Sequence, residues 1–255
     1  MGNKHSTSSE KTLLALDFDH TVLDCNSDFE IQDMAEDGRI PEDVRRLHEE
    51  KGFTEFMQAV FELFHRQGRV KADYERRLLR LPFAPGMEEL LRRAGASPNL
   101  EVIIVSDANV WFIDLILDNK LLRSCVDAVF SNPAHFDASG LLRISYYHTQ
   151  TWCELSSKNL CKGSIVQDYV KRRAKEGVRL SRVVYVGDGK NDLCPATRLK
   201  ERDVVFAREG FTMAKVLLGR QKKVPLKAQL RLYNDGLEVA DFLQLQQPQQ
   251  QPPTL

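Results

Sequence analysis

The chain has 255 residues, 42% hydrophobic and 28% charged, enough for one large domain or a core with a smaller one inserted. Its 36 basic and 36 acidic residues cancel, so no global basic field marks a nucleic-acid partner, and no apolar run approaches the roughly 20 residues of a membrane-spanning helix. Five cysteines (Cys25, Cys125, Cys153, Cys161 and Cys194), an odd number with no CxxC, argue against disulfides and for a reducing, cytoplasmic compartment.

Residues 1–11 read as a disordered leader, too polar for a signal peptide. Met1-Gly2-Asn3-Lys4-His5-Ser6 also fits the pattern for attaching myristate to Gly2, which by itself gives only weak, reversible membrane contact. An apolar strand follows over residues 12–17. From Ser27 the periodicity turns helical, with helices expected over 27–34, 41–51, 53–66 and 71–81. Phe53, Phe56, Met57, Val60, Phe61 and Phe64 recur at three- and four-residue steps and read as a core stripe. Pro82 and Pro85-Gly86 close this block, so residues 27–82 are read as an all-helical cap inserted into a core of residues 12–26 and 83–243. In the core, a helix (86–95), a strand (100–105), a helix (110–122) and a strand (126–131) come first. An extended stretch (141–147), antiparallel or peripheral, precedes a helix (163–176), a strand (182–186), a short helix (195–200) and a strand (203–207). Residues 244–255, rich in Gln and Pro, read as a disordered tail. The alternation predicts an α/β fold with a doubly wound parallel sheet, a Rossmann-like hydrolase core.

The chemistry concentrates where three of these strands end, at Asp17-Phe18-Asp19-His20-Thr21, Ser106-Asp107-Ala108-Asn109 and Gly187-Asp188-Gly189-Lys190-Asn191-Asp192. Parallel α/β sheets gather such ends at one edge, where ligands bind. Paired carboxylates there repel one another unless a cation sits between them, and a hard divalent ion such as Mg2+ takes oxygen ligands. Ser106 also reads as the N-cap of the helix at Val110, and Asp192 as a cap of the helix after it. The histidines show no metal-ligand spacing, and Trp111 reads as packing at the cap–core seam.

These stretches resemble the four motifs of the haloacid dehalogenase-like phosphohydrolase superfamily. Asp17-Phe18-Asp19-His20-Thr21-Val22 resembles DxDx(T/V), Ser106 the second motif, Lys162 the third and the 187–192 loop GDGxND. More narrowly, LDFDHTVLDCNSD, VSDAN, SNP, YHT, NLCKG and YVGDGKND are similar to the phosphoethanolamine/phosphocholine phosphatase branch, which also holds pyridoxal phosphate phosphatases. One departure stands out. Relatives usually carry CxxCPxNxCK, where this chain reads Cys153-Glu154-Leu155-Ser156-Ser157-Lys158-Asn159-Leu160-Cys161-Lys162. The paired cysteine and the proline are missing, which weighs against a metal or redox role for that loop.

The resemblance implies a Mg2+-dependent phosphomonoesterase acting on a small phosphorylated metabolite through an aspartyl-phosphate. Asp17 is then the nucleophile and Asp19 the general acid and base. Ser106 and Lys162 hold the phosphoryl group, with Lys158 as the rival lysine. Asp17, the Asp19 carbonyl and Asp188 hold the metal, supported by Asn191 and Asp192. Asp28 and Asp107 match aspartates that face the substrate amine, which favours phosphoethanolamine or phosphocholine over pyridoxal phosphate, pyrophosphate or thiamine monophosphate. The cap is expected to open and close over the site. A catalytically silent binding or regulatory protein on the same fold is the reading from another class, and oligomeric state is left open.

Overall fold

In the computed structural model of the chain, which describes residues 10–219 and 224–247, six strands form one parallel sheet. They are β1 (Glu10–Leu16), β2 (Leu100–Asn109), β3 (Ala128–Asn132), β6 (Arg179–Gly187), β7 (Val204–Arg208) and β8 (Gln229–Tyr233), in the order β3-β2-β1-β6-β7-β8. A separate antiparallel hairpin holds β4 (Ala134–Phe136) and β5 (Leu142–Ile144). Leu14 of β1 lies between Val102 of β2 and Val184 of β6. The chain winds outward from β1 in one direction through β2 and β3, and from β6 in the other through β7 and β8. The crevice between the ends of β1 and β6 is therefore the topological switch point, where such sheets bind ligands.

Strand side chains alternate between faces, and here both faces are covered. Leu14, Leu16, Val102, Ile104, Val184, Val186 and Phe206 point into one apolar cluster, and Leu13, Ala15, Ile103, Val105, Tyr185, Val205 and Ala207 into the other. The first face packs on α5 (Met87–Gly95), α6 (Val110–Asn119) and α10 (Gly236–Phe242); the second on α7 (Lys162–Lys175), α8 (Leu193–Arg198) and α9 (Thr212–Leu218). Asp17 continues the Leu13–Ala15 alternation, which aims it toward the face covered by α7 and α8.

Between β1 and α5 lie four helices, α1 (Ser27–Gln32), α2 (Glu42–Glu50), α3 (Phe53–Arg66) and α4 (Lys71–Leu78). The chain enters and leaves this block side by side: Leu23 and Phe83 form an antiparallel bridge, Asp24 N donates to Pro82 O, and Ala84 N to Val22 O. The Phe56, Met57, Val60, Phe61 and Phe64 stripe of α3 joins the first apolar cluster, with Phe61 edge-on to Phe112 of α6 at 6.1 Å. Trp111 packs edge-on against Phe136 at 5.0 Å, in the seam.

The structure departs from the sequence expectations in detail. Asn109, not Ser106, caps α6: its Oδ1 accepts from Phe112 N at 3.0 Å, while Ser106 lies inside β2. That helix ends at Asn119, because Leu121 takes a left-handed φ of 56°. The extended stretch at 141–147 is antiparallel and peripheral as expected, though only Leu142–Ile144 pairs, with β4; Ile144 N donates to Gln58 Oε1 of α3, so the hairpin packs beside the helical insert. After Ala207 the chain adds α9, β8 and α10, which complete the sheet edge and one helical layer. The Gly2 myristoylation pattern, nearly all of the predicted leader and the end of the predicted tail lie outside the described residues. Among the described residues no helix is long and apolar enough to cross a membrane.

Candidate active site

Lys162, the first residue of α7, is 1% exposed and bridges two buried carboxylates: its Nζ lies 2.7 Å from Asp17 Oδ1 and 2.8 Å from Asp192 Oδ1. Lys158 is exposed on the preceding loop. Asp192 does not cap α8 with its side chain. Its Oδ1 accepts from Lys162 and from Tyr185 Oη at 2.6 Å, and its Oδ2 from the N–H groups of Asp188 and Gly189 at 3.0 and 2.8 Å. A carboxylate has about four lone-pair sites, so Asp192 is saturated, and its work is to fold the 187–192 loop around Lys162. Gly187 permits this fold, since a Cβ there would stand 2.5 Å from Asp192 Cγ.

Asp17, Asp19, Asp28, Asp107 and Asp188 line one cavity of about 180 Å3, with Ser106, Asn191, His20, Asn26 and Phe53. That volume lies below the ~300–1,000 Å3 of pockets for larger ligands, which suits a small metabolite. Ser106 Oγ, buried, accepts from Ala108 N at 3.2 Å and keeps its own hydrogen to give. Asn191 reaches Asp107 Oδ2 (2.6 Å) rather than Lys162. Asp19 Oδ1 accepts from Ser27 N at 2.9 Å, which ties the loop after β1 to the start of α1. Asp28, on α1, is 3% exposed.

Five carboxylates around one cavity, with a single buried ammonium behind them, leave a large excess of negative charge. Burial first, then Asp192 and Asp188, holds the Asp17 carboxyl well above the usual carboxylate range, against the pull of Lys162. Burial and then Asp192 push Asp188 up to about 7. Asp19 is pushed up to about 6 by burial, which the Ser27 N–H only partly offsets. Burial, then Asp19 and Asp107, raises Asp28 strongly, and burial raises Asp107 despite Lys162 and Asn191. Burial alone would lower the Lys162 pKa, but Asp17, Asp192 and Asp107 outweigh it and drive it up, so the ammonium stays charged.

This electrostatic frustration fits a divalent cation. Oxygens of Asp17, Asp188 and Asp192 come within 4.8 Å of one another. With Asp192 saturated, the free donors are Asp17 Oδ2, which has no hydrogen-bond partner among the described residues, and Asp188, whose Oδ1 accepts only a long contact of 3.3 Å from Thr21 Oγ1. An all-oxygen donor set of this kind suits a hard ion.

Several supporting residues escaped sequence reading. Arg208, at the end of β7, donates to His20 O at 2.6 Å and pairs with Asp24, which fixes the loop after Asp17 with His20 at a φ of 55°. Asn132 Nδ2 holds the carbonyls of Asp107 and Ala108 at 2.7 and 2.9 Å, and Asn159 in turn holds Asn132 Oδ1. Phe53, read as part of the core stripe, also lines the cavity. Phe53 and Arg208 had only their place next to an element's end as a signal; Asn132 and Asn159 lay in the SNP and NLCKG segments already singled out.

Comparison with known proteins agrees with this picture. A family model described as Putative Phosphatase matches residues 12–247. The chain is 38% identical over 237 residues to mouse pyridoxal phosphate phosphatase PHOSPHO2, covering 92% of this chain and 98% of the relative. It is 37% identical over 227 residues to human phosphoethanolamine/phosphocholine phosphatase, covering 88% and 84%. Among solved structures, a phospho-aspartyl intermediate analogue of phosphoserine phosphatase superposes with a TM-score of 0.59 at 20% identity, over 91% of this chain and 99% of that one, a likeness of fold. Matched over residues 12–247 by the family model and over about nine-tenths of its length by relatives named as phosphatases, the chain belongs to the Putative Phosphatase family and is a phosphatase on the haloacid dehalogenase-like α/β fold.

Proposed function

We propose that the chain hydrolyses phosphoethanolamine or phosphocholine through a phosphorylated Asp17. The reading rests on one observation above all: Asp28 Oδ1 and Asp107 Oδ1, in two residues that line the cavity, are buried with no hydrogen-bond partner among the described residues. Unpaired buried carboxylate oxygens are costly; the primary ammonium of phosphoethanolamine has the donors to satisfy both, and the quaternary ammonium of phosphocholine offsets their charge. Phe53 adds a ring face of the kind that attracts quaternary ammonium groups. Asp28 and Phe53 come from the helical insert, which supports its role as a lid over the site.

In this reading one oxygen of the Asp17 carboxylate attacks phosphorus while the bond to the leaving oxygen breaks and Asp19 gives that oxygen a proton. Asp19 then takes a proton from the water that attacks the aspartyl-phosphate, and inorganic phosphate leaves with Asp17 restored. Ser106 Oγ donates to a phosphoryl oxygen, and Lys162 holds Asp17 in place and offsets the charge of the dianion. Mg2+, held by the free oxygens of Asp17 and Asp188 with the Asp19 carbonyl, would supply further charge neutralisation at the phosphoryl group.

Phosphate release over a panel of small phosphomonoesters, with Mg2+ present and then chelated, tests the activity. Asp28→Asn and Asp107→Asn are expected to raise KM for phosphoethanolamine by about 10- to 100-fold, the weight of a lost charged hydrogen bond, and for phosphocholine by a smaller factor, since its quaternary ammonium loses only the charge attraction. Glycerol phosphate, which carries no amine, should change little. A uniform loss across the panel would refute the amine-facing role. The mouse relative's name supports a second reading, pyridoxal phosphate as substrate; the panel then ranks pyridoxal phosphate first and the amine esters far behind.

Asp19 must be protonated to act as an acid. Its pKa is raised to about 6, so the acid form is lost as pH rises through that value. The kcat/KM profile should therefore fall on the alkaline side with an apparent pKa of about 6, and the kcat profile with a higher one, since a bound phosphate dianion raises it further. Asp19→Asn should flatten that limb along with a large loss of rate; a limb that persists unchanged in the variant assigns it to another group.

A further inference from the structure

Three of the five cysteines meet behind the Lys162–Asp192 pair, although 41 residues separate Cys153 from Cys194. Cys194 Sγ lies 3.3 Å from Cys153 Sγ and 3.6 Å from Cys161 Sγ, and all three sulfurs fall within 4.8 Å of one another. Around a tetrahedral Zn2+ with Zn–S bonds of about 2.3 Å, sulfurs stand roughly 3.8 Å apart. The trio already has the spacing of ligands around one ion.

Each thiol is delivered by a built element. Cys161 is the N-cap of α7, where helix geometry favours a negative sulfur. Cys194 sits in the first turn of α8, and Gly163 lets α7 approach it: a Cβ at 163 would stand 2.7 Å from Cys194 Sγ. Cys153 comes from the loop between β5 and α7, which closes on itself through Gln150 N to Lys158 O and His148 N to Asn159 O. Buried Gln150 knits that loop, accepting from Cys153 N at 2.9 Å and donating to the carbonyls of Cys153, Ser156 and Ser157 at 2.9–3.1 Å. Yet the middle of the loop leaves its large apolar side chains, Trp152 and Leu155, exposed at 60% and 37% and turns its cysteine inward. Leu160 anchors the end of the loop in the core, but over residues 150–157 no apolar side chain is buried to hold it, and a metal on Cys153 would do so. Ser156 Oγ is buried beside Cys161 and Cys194 without a well-formed hydrogen bond among the described residues.

We propose that Cys153, Cys161 and Cys194 bind one Zn2+, with a water beside Ser156 in the fourth position. Each thiol releases its proton to solvent as its sulfur–zinc bond forms. Three thiolates around a dication carry one net negative charge, and Arg198, whose Nη2 lies 3.6 Å from Cys161 Sγ, supplies the balancing positive one. The ion is structural. It joins the start of the helix that carries Lys162 to the start of the helix that follows Asp192. It is distinct from the all-oxygen site of the carboxylates.

Metal analysis of the full-length protein, purified with zinc supplied and then dialysed against Mg2+ buffer, should find one zinc per chain. Replacing it with Co2+ should produce a thiolate-to-cobalt charge-transfer band. Cys153→Ser and Cys194→Ser should lose the zinc and the band, while Cys125→Ser, whose thiol lies elsewhere, keeps both. Ser156→Cys should complete a four-thiolate site and raise zinc affinity at least 10-fold in competition with a chromophoric chelator. That gain cannot come from misfolding. The proposal fails if wild-type protein holds no zinc and shows no cobalt band, if Ser156→Cys gains no affinity, or if alkylation and mass measurement find Cys194 in a disulfide.

Discussion

Asp17→Asn should lower kcat/KM on the order of 10⁴-fold or more, the scale on which enzymes respond to removal of an attacking group. The same substitution should leave the fold intact. The Asn carbonyl still accepts from Lys162, which keeps its pair with Asp192 at 2.8 Å. Folding places the Asp17 carboxylate in a dry site beside Asp192 and Asp188, and its raised pKa records that cost. Relieving it should hold the metal-free melting temperature level or lift it by a few degrees, as read by circular dichroism. Near-normal turnover in the variant would remove Asp17 as the nucleophile. A collapse of the melting temperature would mean that the carboxylate is needed for folding rather than for attack.

Lys162→Met should be costly in both respects. It strips the one buried ammonium from between Asp17 and Asp192 and leaves two carboxylates facing each other without water. Breaking a buried pair by removing one partner costs about 3–5 kcal/mol, so urea denaturation should show a loss of that order. Activity should fall by roughly 10³-fold or more with the loss of a preorganised charge at the phosphoryl site. Adding Asp17→Asn to Lys162→Met should restore part of the stability and none of the activity. A double variant no more stable than Lys162→Met alone would show that the pair is not electrostatically coupled.

Much of this was legible in the sequence because it depends on short-range rules. The continuous apolar runs of β1, β2 and β6, alternating along the chain with helices, gave a two-sided parallel sheet, and the loops ending those strands carried the carboxylates, Ser106 and the 187–192 turn. Lys162 was readable from its place at the foot of a helix. What was not legible depends on contacts between distant segments. Asn109 outcompetes Ser106 as the cap of α6 because β2 runs on through residues 106–109 before the helix begins. Arg208 holds His20 from 188 residues away, and no local pattern announces such a bond. Counting cysteines by spacing along the 153–161 loop omitted Cys194, which reaches them only through the packing of α7 on α8.

The paired strands at Leu23 and Phe83 make the helical insert a segment with a single doorway, its two ends stitched together on the core. Such a cassette can be exchanged as a unit between scaffolds that also match its packing on α6 and the β4–β5 hairpin. Asp28 and Phe53 would travel with it, whereas Asp107 is anchored to the host by Asn132 and Asn191. A chimera would thus inherit only half of the acid pair that meets the cavity. If the pair faces the substrate amine as proposed, selectivity belongs to the join between cassette and host, and matching the two halves is the constraint that any swap must meet.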